Sequence, residues 1–250
     1  MPRPIIGFVH AVPWLMLATT MRIIYATDGG LVGYLAFLAA NIAILLAFLL
    51  VAHHMIEMAD GRTELGRLGF DRQLAMARNI VIRITILLAG LSYCVAWLGA
   101  PGLSGHLVYG FDGIAFDQHT TIGMVLSSIL AAVVLVMALA SEAGRRATVL
   151  SAVRELAARW RSMLPAVAAV AAFLIVLSAV QGIVRADVRQ LWQTASLPYD
   201  VRALIYFVFI FSFATLRLCG CLAILVLGLR RSYRRGEGHR AANARPAPGQ

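Results

Sequence analysis

Lysine is absent from this chain of 250 residues, and charged residues of either sign make up only 14% of it. A soluble globular chain averages about 25% charged residues, so a charge-rich soluble domain is excluded. All 22 basic residues are arginines, and with 12 acids they give a net charge of +10. Because the arginines cluster at the ends of apolar runs, we interpret them as determinants of membrane orientation and expect no nucleic-acid partner.

Cysteine is also scarce, with three residues at positions 94, 219 and 221. An odd number of cysteines inside apolar runs argues against a disulfide framework. Cys219 and Cys221 are separated by one residue, which is not the spacing of a CxxC redox motif. We therefore interpret the cysteines as small residues packed between helices.

Catalytic motifs are missing as well. The chain has no P-loop, HExxH, GxGxxG or nucleophile elbow in a credible context. No acidic residue lies deep in an apolar run, which disfavours a proton relay built on carboxylates. The sequence leaves open whether the protein is an enzyme.

Long apolar runs dominate what the chain does contain, since 60% of its residues are hydrophobic, against about 45–50% in soluble proteins. The run 29–54 has no charge and exceeds the roughly 20 residues that a helix needs to cross a bilayer. We predict an all-α integral membrane protein with six transmembrane helices and cytoplasmic interfacial amphipathic helices. The predicted spans are 4–26, 29–54, 79–100, 120–140, 163–184 and 201–229.

We predict one six-helix transmembrane domain over residues 1–229. The basic tail 230–250 is rich in proline, alanine and glycine towards its end, and we expect it to be disordered. Arginines are frequent in 54–78, in 142–162 and in this tail, and they are absent from the turn 27–30 and the loop 101–119. The positive-inside rule then places both termini in the cytoplasm. We expect a multi-pass protein of the bacterial inner membrane.

The segment 142–162 has the pattern of a helix that lies on the membrane surface. Its apolar residues recur with a helical period, and its arginines occupy the opposite side. Such a helix binds anionic lipid headgroups. Its apolar positions are Val149, Leu150, Val153, Leu156 and Trp160. Leu65, Leu68 and Leu74 indicate a second, weaker helix of this kind, which Gly66 and Gly69 interrupt.

Three histidines form the first candidate site. His10 lies near the start of the first predicted span, and His53 and His54 end the second. Antiparallel neighbouring spans would bring the three to similar depth, where two of them could ligate a haem iron or another metal. The alternative is a set of interfacial histidines that water and headgroups satisfy.

The run FVHAVPWLMLA, residues 8–18, resembles the opening of the membrane subunits of bacterial b-type cytochromes. The resemblance covers one helix and implies a b-type haem held by His10 with His53 or His54. Those subunits usually place further histidines in other spans, and the third to sixth predicted spans have none.

The loop 101–119 forms the second candidate site, a metal site at His106, Asp117 and His119. A carboxylate and an imidazole two residues apart can bind a divalent metal such as copper or zinc. The alternative is a solvated loop with an aspartate that starts a helix.

The third candidate site consists of the polar residues inside the predicted spans: Asn41, Gln181 and Arg217. Asn41 and Arg217 are the predicted substrate or partner contacts. A charge at the bilayer centre costs about 2.5–3.5 kcal/mol on insertion scales, so it normally faces the bundle interior or water. Arg217 would pair with an anionic substrate, a lipid headgroup or a partner subunit. The alternative is that its long side chain extends to the cytoplasmic interface.

The short loops and the intramembrane arginine favour a transport or secretion-type membrane subunit. We expect it to contact the lipid bilayer and to work with other membrane subunits or as a homo-oligomer. The alternatives are a membrane redox subunit that binds b-type haem and a lipid-modifying enzyme at the cytoplasmic interface.

Overall fold

The computed structural model describes residues 4–60, 70–99, 112–116, 120–142, 148–194 and 198–243. Over these ranges the chain forms helices and no strand, which confirms the all-α prediction. The helices are α1 (Pro4–Thr27), α2 (Gly30–Asp60), α3 (Phe70–Trp97), α4 (Thr121–Glu142), α5 (Val149–Ala158), α6 (Trp160–Thr194) and α7 (Tyr199–Asn243), and a short 3-10 turn covers Asp112–Ile114.

Five of the described helices contain a segment that is long and apolar enough to cross a membrane, which supports a multi-pass membrane protein. The segments are Gly30–Ile56, Arg78–Trp97, Thr121–Ala140, Met163–Thr194 and Tyr199–Arg231. The first helix is not among them, although its bounds agree with the predicted span 4–26 to within one residue. A sixth span therefore stays a prediction.

The centre of the bundle is formed by α2 and α4. In the apolar segment of α2, 61% of the residues are buried inside the molecule, and in that of α4 the buried share is 72%. The corresponding share for α3 is 17%. α1 packs along α2, and α6 packs along α7. The large apolar side chains that α3 exposes, such as Ile86 and Trp97, would contact lipid chains in a bilayer, which are as apolar as the side chains themselves.

A tight turn joins α1 to α2. The Asp28 N–H donates to the Ile24 carbonyl over 2.8 Å, and Gly30 has a φ of +67°, in the region that favours glycine. Gly33, one turn further along α2, lies against the backbone carbonyl of Asp28, so a Cβ at this position would collide with backbone atoms. The close packing of this hairpin thus depends on the lack of a side chain at residue 33.

Helix α6 is longer than the sequence pattern indicated. The predicted span ends at residue 184 and the next begins at residue 201, but the helix continues through Arg185 to Thr194. No glycine or proline occurs between these two residues, and the next strong helix breaker is Pro198. The extension places the polar residues after position 184 on a regular helical face.

The surface helix predicted over 142–162 is shorter than expected, because α5 covers only Val149–Ala158. Thr148 begins it with a capping box: Ser151 N–H donates to Thr148 Oγ1 and Thr148 N–H donates to Ser151 Oγ, each over 3.1 Å. Ala152 is buried, whereas Leu150 and Val153 are exposed. Lipid binding by this exposed apolar side stays a prediction.

Other predicted features fall partly outside the described residues. The stretch 61–69, with Leu65 and Leu68 of the second surface helix, is one of them. Helix α7 is described as far as Asn243, past the predicted boundary at residue 229, and residues 244–250 are not described. The division into a membrane domain and a disordered tail stays a prediction.

Candidate functional site

A cavity of about 470 Å³ lies at one end of the bundle. Its walls come from the C-terminal parts of α1 and α6, from the N-terminal part of α7, and from residues 115–116. Sites for small molecules span about 300–1,000 Å³, so this volume is sufficient for an organic ligand.

Three arginines line the cavity: Arg22 from α1, and Arg185 and Arg189 from α6. None of the described residues that line it is acidic. A guanidinium group stays charged and presents a planar fork of donors, which matches the oxygens of a carboxylate or a phosphate. The cavity therefore has the chemistry of an anion-binding site.

Arg22 is held in place by aromatic rings. Its guanidinium carbon lies 4.9 Å from the ring centroid of Tyr25 and 5.8 Å from that of Phe116. Both distances are within the range of a cation–π interaction. Tyr25 and Phe116 also line the cavity, so the same rings form part of its wall and orient one of its charges.

A second aromatic pair closes the cavity between α6 and α7. The ring centroids of Trp192 and Tyr206 are 5.8 Å apart, with an angle of 59° between the ring planes. The indole Nε1–H of Trp192 is buried and has no hydrogen-bond partner among the described residues. Since a buried indole N–H usually has a partner, an acceptor oxygen on a ligand would complete this wall.

The face that α6 turns towards the cavity follows helical spacing. Gln181, Arg185, Val188 and Trp192 are separated by four, three and four residues, so they share one side of the helix. The α6 extension beyond Val184 is what brings the two arginines and the tryptophan into the site.

Below the cavity lies Arg217, which is fully buried in the bundle. Its Nη1 donates to the Phe116 carbonyl over 3.2 Å. Its Nη2 donates to Ser178 Oγ over 2.7 Å and to Gln181 Oε1 over 2.8 Å. Arg217 therefore does not extend to an interface; it joins α7 to α6 and to the segment that carries Phe116.

The contact with Arg217 also fixes the orientation of the Gln181 amide. An arginine has only donors, so Gln181 must present Oε1 to it and keep its amide NH₂ for other partners. Gln181 lines the cavity, where this NH₂ group can donate to a ligand. Through Gln181 and Phe116, Arg217 holds two residues of the cavity wall.

The three histidines predicted as a cofactor site occupy different environments. His10 is exposed near the start of α1, while His53 and His54 are buried near the end of α2. His54 Nε2 has no hydrogen-bond partner among the described residues. Within the described ranges, no three histidine, cysteine or acidic side chains are grouped as metal ligands. Haem binding at these residues stays a prediction.

A visible spectrum of the purified protein tests the haem hypothesis. If the histidines hold a b-type haem, reduction with dithionite gives a sharp absorption band, and His10→Ala or His54→Ala abolishes it because an axial ligand is lost. A colourless protein after expression with added haem contradicts this hypothesis.

The remaining predicted site residues are Asn41 and three residues of the loop 101–119. His106, Asp117 and His119 fall outside the described residues. Asn41 Nδ2 donates to the Phe37 carbonyl of its own helix over 2.9 Å, and it lines a smaller, mainly apolar cavity of about 150 Å³ between α2 and α3. A role for Asn41 in binding a substrate or partner stays a prediction.

The cavity arginines were not predicted as a site from the sequence. Arg22 lies near the end of the predicted span 4–26, and Arg185 and Arg189 lie between the predicted spans 163–184 and 201–229. The spacing of Gln181, Arg185 and Trp192 is the signal that could have identified them.

Comparisons with protein-family models, with curated proteins and with solved structures find no match. The function of the cavity is therefore inferred from its own residues and geometry.

Proposed function

We propose that this multi-pass membrane protein is a transport protein that recognises an anionic solute in the cavity between α1, α6 and α7. The observation that carries the proposal is the set of three arginines, Arg22, Arg185 and Arg189, that line the cavity. Ionisable residues within membrane bundles are costly and mark substrate or ion pathways. The absence of a recognisable catalytic motif from the sequence favours transport over chemistry.

A stripe of polar residues on α6 supports a path from the cavity into the bundle. Arg189, Arg185, Gln181 and Ser178 follow one another at intervals of four, four and three residues. At 1.5 Å per residue the stripe is roughly 16 Å long. Arg217 lies at its deep end, bonded to Gln181 and Ser178, so positive charge is present at both ends of the stripe.

The distribution of arginines in the loops suggests the direction of access. With both termini in the cytoplasm, the turn 27–30 and the start of α7 face away from it. The cavity would then open on the outer side of a bacterial inner membrane, and the protein would accept its solute from there. Association with other membrane subunits or with a second copy is part of the proposal.

Uptake into proteoliposomes tests the proposed function. The probes are radiolabelled inorganic phosphate, sulfate and succinate, which cross lipid bilayers poorly. We expect the wild-type protein to accumulate at least one of these anions. The double variant Arg185→Gln with Arg189→Gln should accumulate it about tenfold more slowly at low solute concentration. Hydrogen bonds to charged groups contribute about 1.5–3 kcal/mol each, which is consistent with such a loss.

The matched control is Arg202→Gln, which removes a charge from the same end of the bundle without changing a residue of the cavity wall. It should transport as the wild type does. Uptake by the wild-type protein that equals the leak of protein-free liposomes for all three anions would contradict the proposal.

A further inference from the structure

We infer that the ligand of this cavity is an amphiphilic anion, in which a phosphate or carboxylate group is joined to an aromatic or hydrocarbon portion. The inference depends on the proposed anion site and names the class of its ligand. It follows from the division of the cavity wall into a cationic, hydrogen-bonding part and an aromatic part.

The hydrogen-bonding part comes from α1 and α6. Arg22, Arg185 and Arg189 supply charged donors. The buried indole N–H of Trp192 and the amide NH₂ of Gln181, which Arg217 orients, add neutral donors. An anionic group with two or three oxygens can accept from several of them at once, since each oxygen has more than one acceptor position.

The apolar part comes from α7 and from residues 115–116. Phe116, Phe209 and Ile210 line it, and Phe209 is largely buried. An inorganic anion would leave these side chains against water, because its five heavy atoms fill a small part of a cavity of about 470 Å³. A ligand with an aromatic ring or a hydrocarbon chain removes this surface from water and gains affinity.

The binding experiment uses three small probes that separate the two parts of the ligand. Phenyl phosphate carries both the charge and the ring, inorganic phosphate carries only the charge, and benzyl alcohol carries only the ring. Affinities are measured by calorimetry on the full chain in detergent. We expect phenyl phosphate to bind about tenfold or more tightly than inorganic phosphate, because burying the ring adds to the polar contacts, and benzyl alcohol to bind weakest.

Variants locate the binding. Arg185→Gln should lower the affinity for phenyl phosphate about tenfold, because it removes a charged donor. Arg202→Gln lies outside the cavity wall and should change this affinity less than about twofold. Quenching of tryptophan fluorescence by the ligand should be reduced in Trp192→Phe. Thermal melting of each variant verifies that it is folded.

A second arm distinguishes a lipid from a soluble ligand. The protein in nanodiscs of phosphatidylcholine is compared with the protein in nanodiscs that also contain phosphatidic acid. If phosphatidic acid prevents phenyl phosphate from binding, the amphiphilic anion is a lipid. If it does not, the ligand is a soluble organic anion. Both results are consistent with the inference.

Equal affinity for inorganic phosphate and phenyl phosphate would overturn the inference, and so would the lack of binding of all three probes to folded protein. These results are distinguishable from a failure of the transport proposal. Binding of phenyl phosphate without uptake of phosphate, sulfate or succinate removes transport and keeps the ligand class. Uptake of one of these anions together with equal affinity for phosphate and phenyl phosphate removes the ligand class and keeps transport.

Discussion

Replacement of Arg217 with alanine should lower the free energy of unfolding by about 3 kcal/mol, within the range for truncating a large buried side chain. The side chain is fully buried and bonds to Phe116, Ser178 and Gln181. Alanine leaves a cavity and removes the donor of three acceptors. Unfolding in detergent, followed by circular dichroism against sodium dodecyl sulfate concentration, measures the loss.

The control for Arg217→Ala is Arg154→Ala, which removes an exposed arginine from α5. Surface substitutions usually change stability by less than about 0.5 kcal/mol. If Arg217→Ala and Arg154→Ala unfold at the same detergent concentration, Arg217 does not stabilise the bundle.

Arg217→Met separates the two roles of this residue. Methionine fills most of the volume and carries no charge, and replacing buried charged groups with apolar residues of similar size is often neutral or stabilising. We expect stability within about 1.5 kcal/mol of the wild type, as for volume-conserving core substitutions. Binding of phenyl phosphate should still weaken, because Gln181 and Phe116 lose the contact that holds them. Unchanged binding would exclude the positioning role.

Gly33→Ala should destabilise the protein by about 2 kcal/mol, in the range measured for overpacking. The new Cβ would collide with the carbonyl group of Asp28, which belongs to the backbone of the α1–α2 turn and cannot rotate away as a side chain can. The two helices would have to separate at this end. The same unfolding measurement in detergent applies.

The control for this substitution is Gly90→Ala, which is also helical but has no atom within 4 Å of the new Cβ apart from its chain neighbours and the nearby backbone of its own helix. Alanine is favoured over glycine by about 1 kcal/mol in a helix interior, so Gly90→Ala should be neutral or stabilising. Equal effects of the two substitutions would show that the turn tolerates a wider separation of α1 and α2.

The membrane helices were predictable because the bilayer restricts the structures that can cross it. A backbone in hydrocarbon must satisfy its own hydrogen bonds, so a long apolar run such as 29–54 forms a helix. For α2 and α4, composition alone was sufficient to predict a membrane helix. The end of α6 was not predictable in this way, because composition changes at Arg185 whereas the helix ends at Thr194.

The site was less predictable because it depends on contacts between distant parts of the chain. Arg217 and Gln181 were both identified as polar residues in apolar runs, but the contact between them was not predicted. Phe116 is 101 residues away in sequence and Gln181 is 36 residues away. No local pattern connects these positions, and the packing of α6 against α7 brings them together.

The hydrogen bond between Phe116 and Arg217 has a consequence for how the protein is made. Synthesis proceeds from the N-terminus at about 5–20 residues per second, so Phe116 leaves the ribosome roughly 5–20 seconds before Arg217, 101 residues later. Arg22 of α1 precedes Phe116, and Arg185 and Arg189 of α6 precede Tyr206 and Phe209 of α7. The arginines of the cavity are therefore made before the aromatic side chains of α7. Helix α7 therefore completes the cavity, and a chain that stalls before residue 199 would leave the three cavity arginines without their aromatic wall from α7.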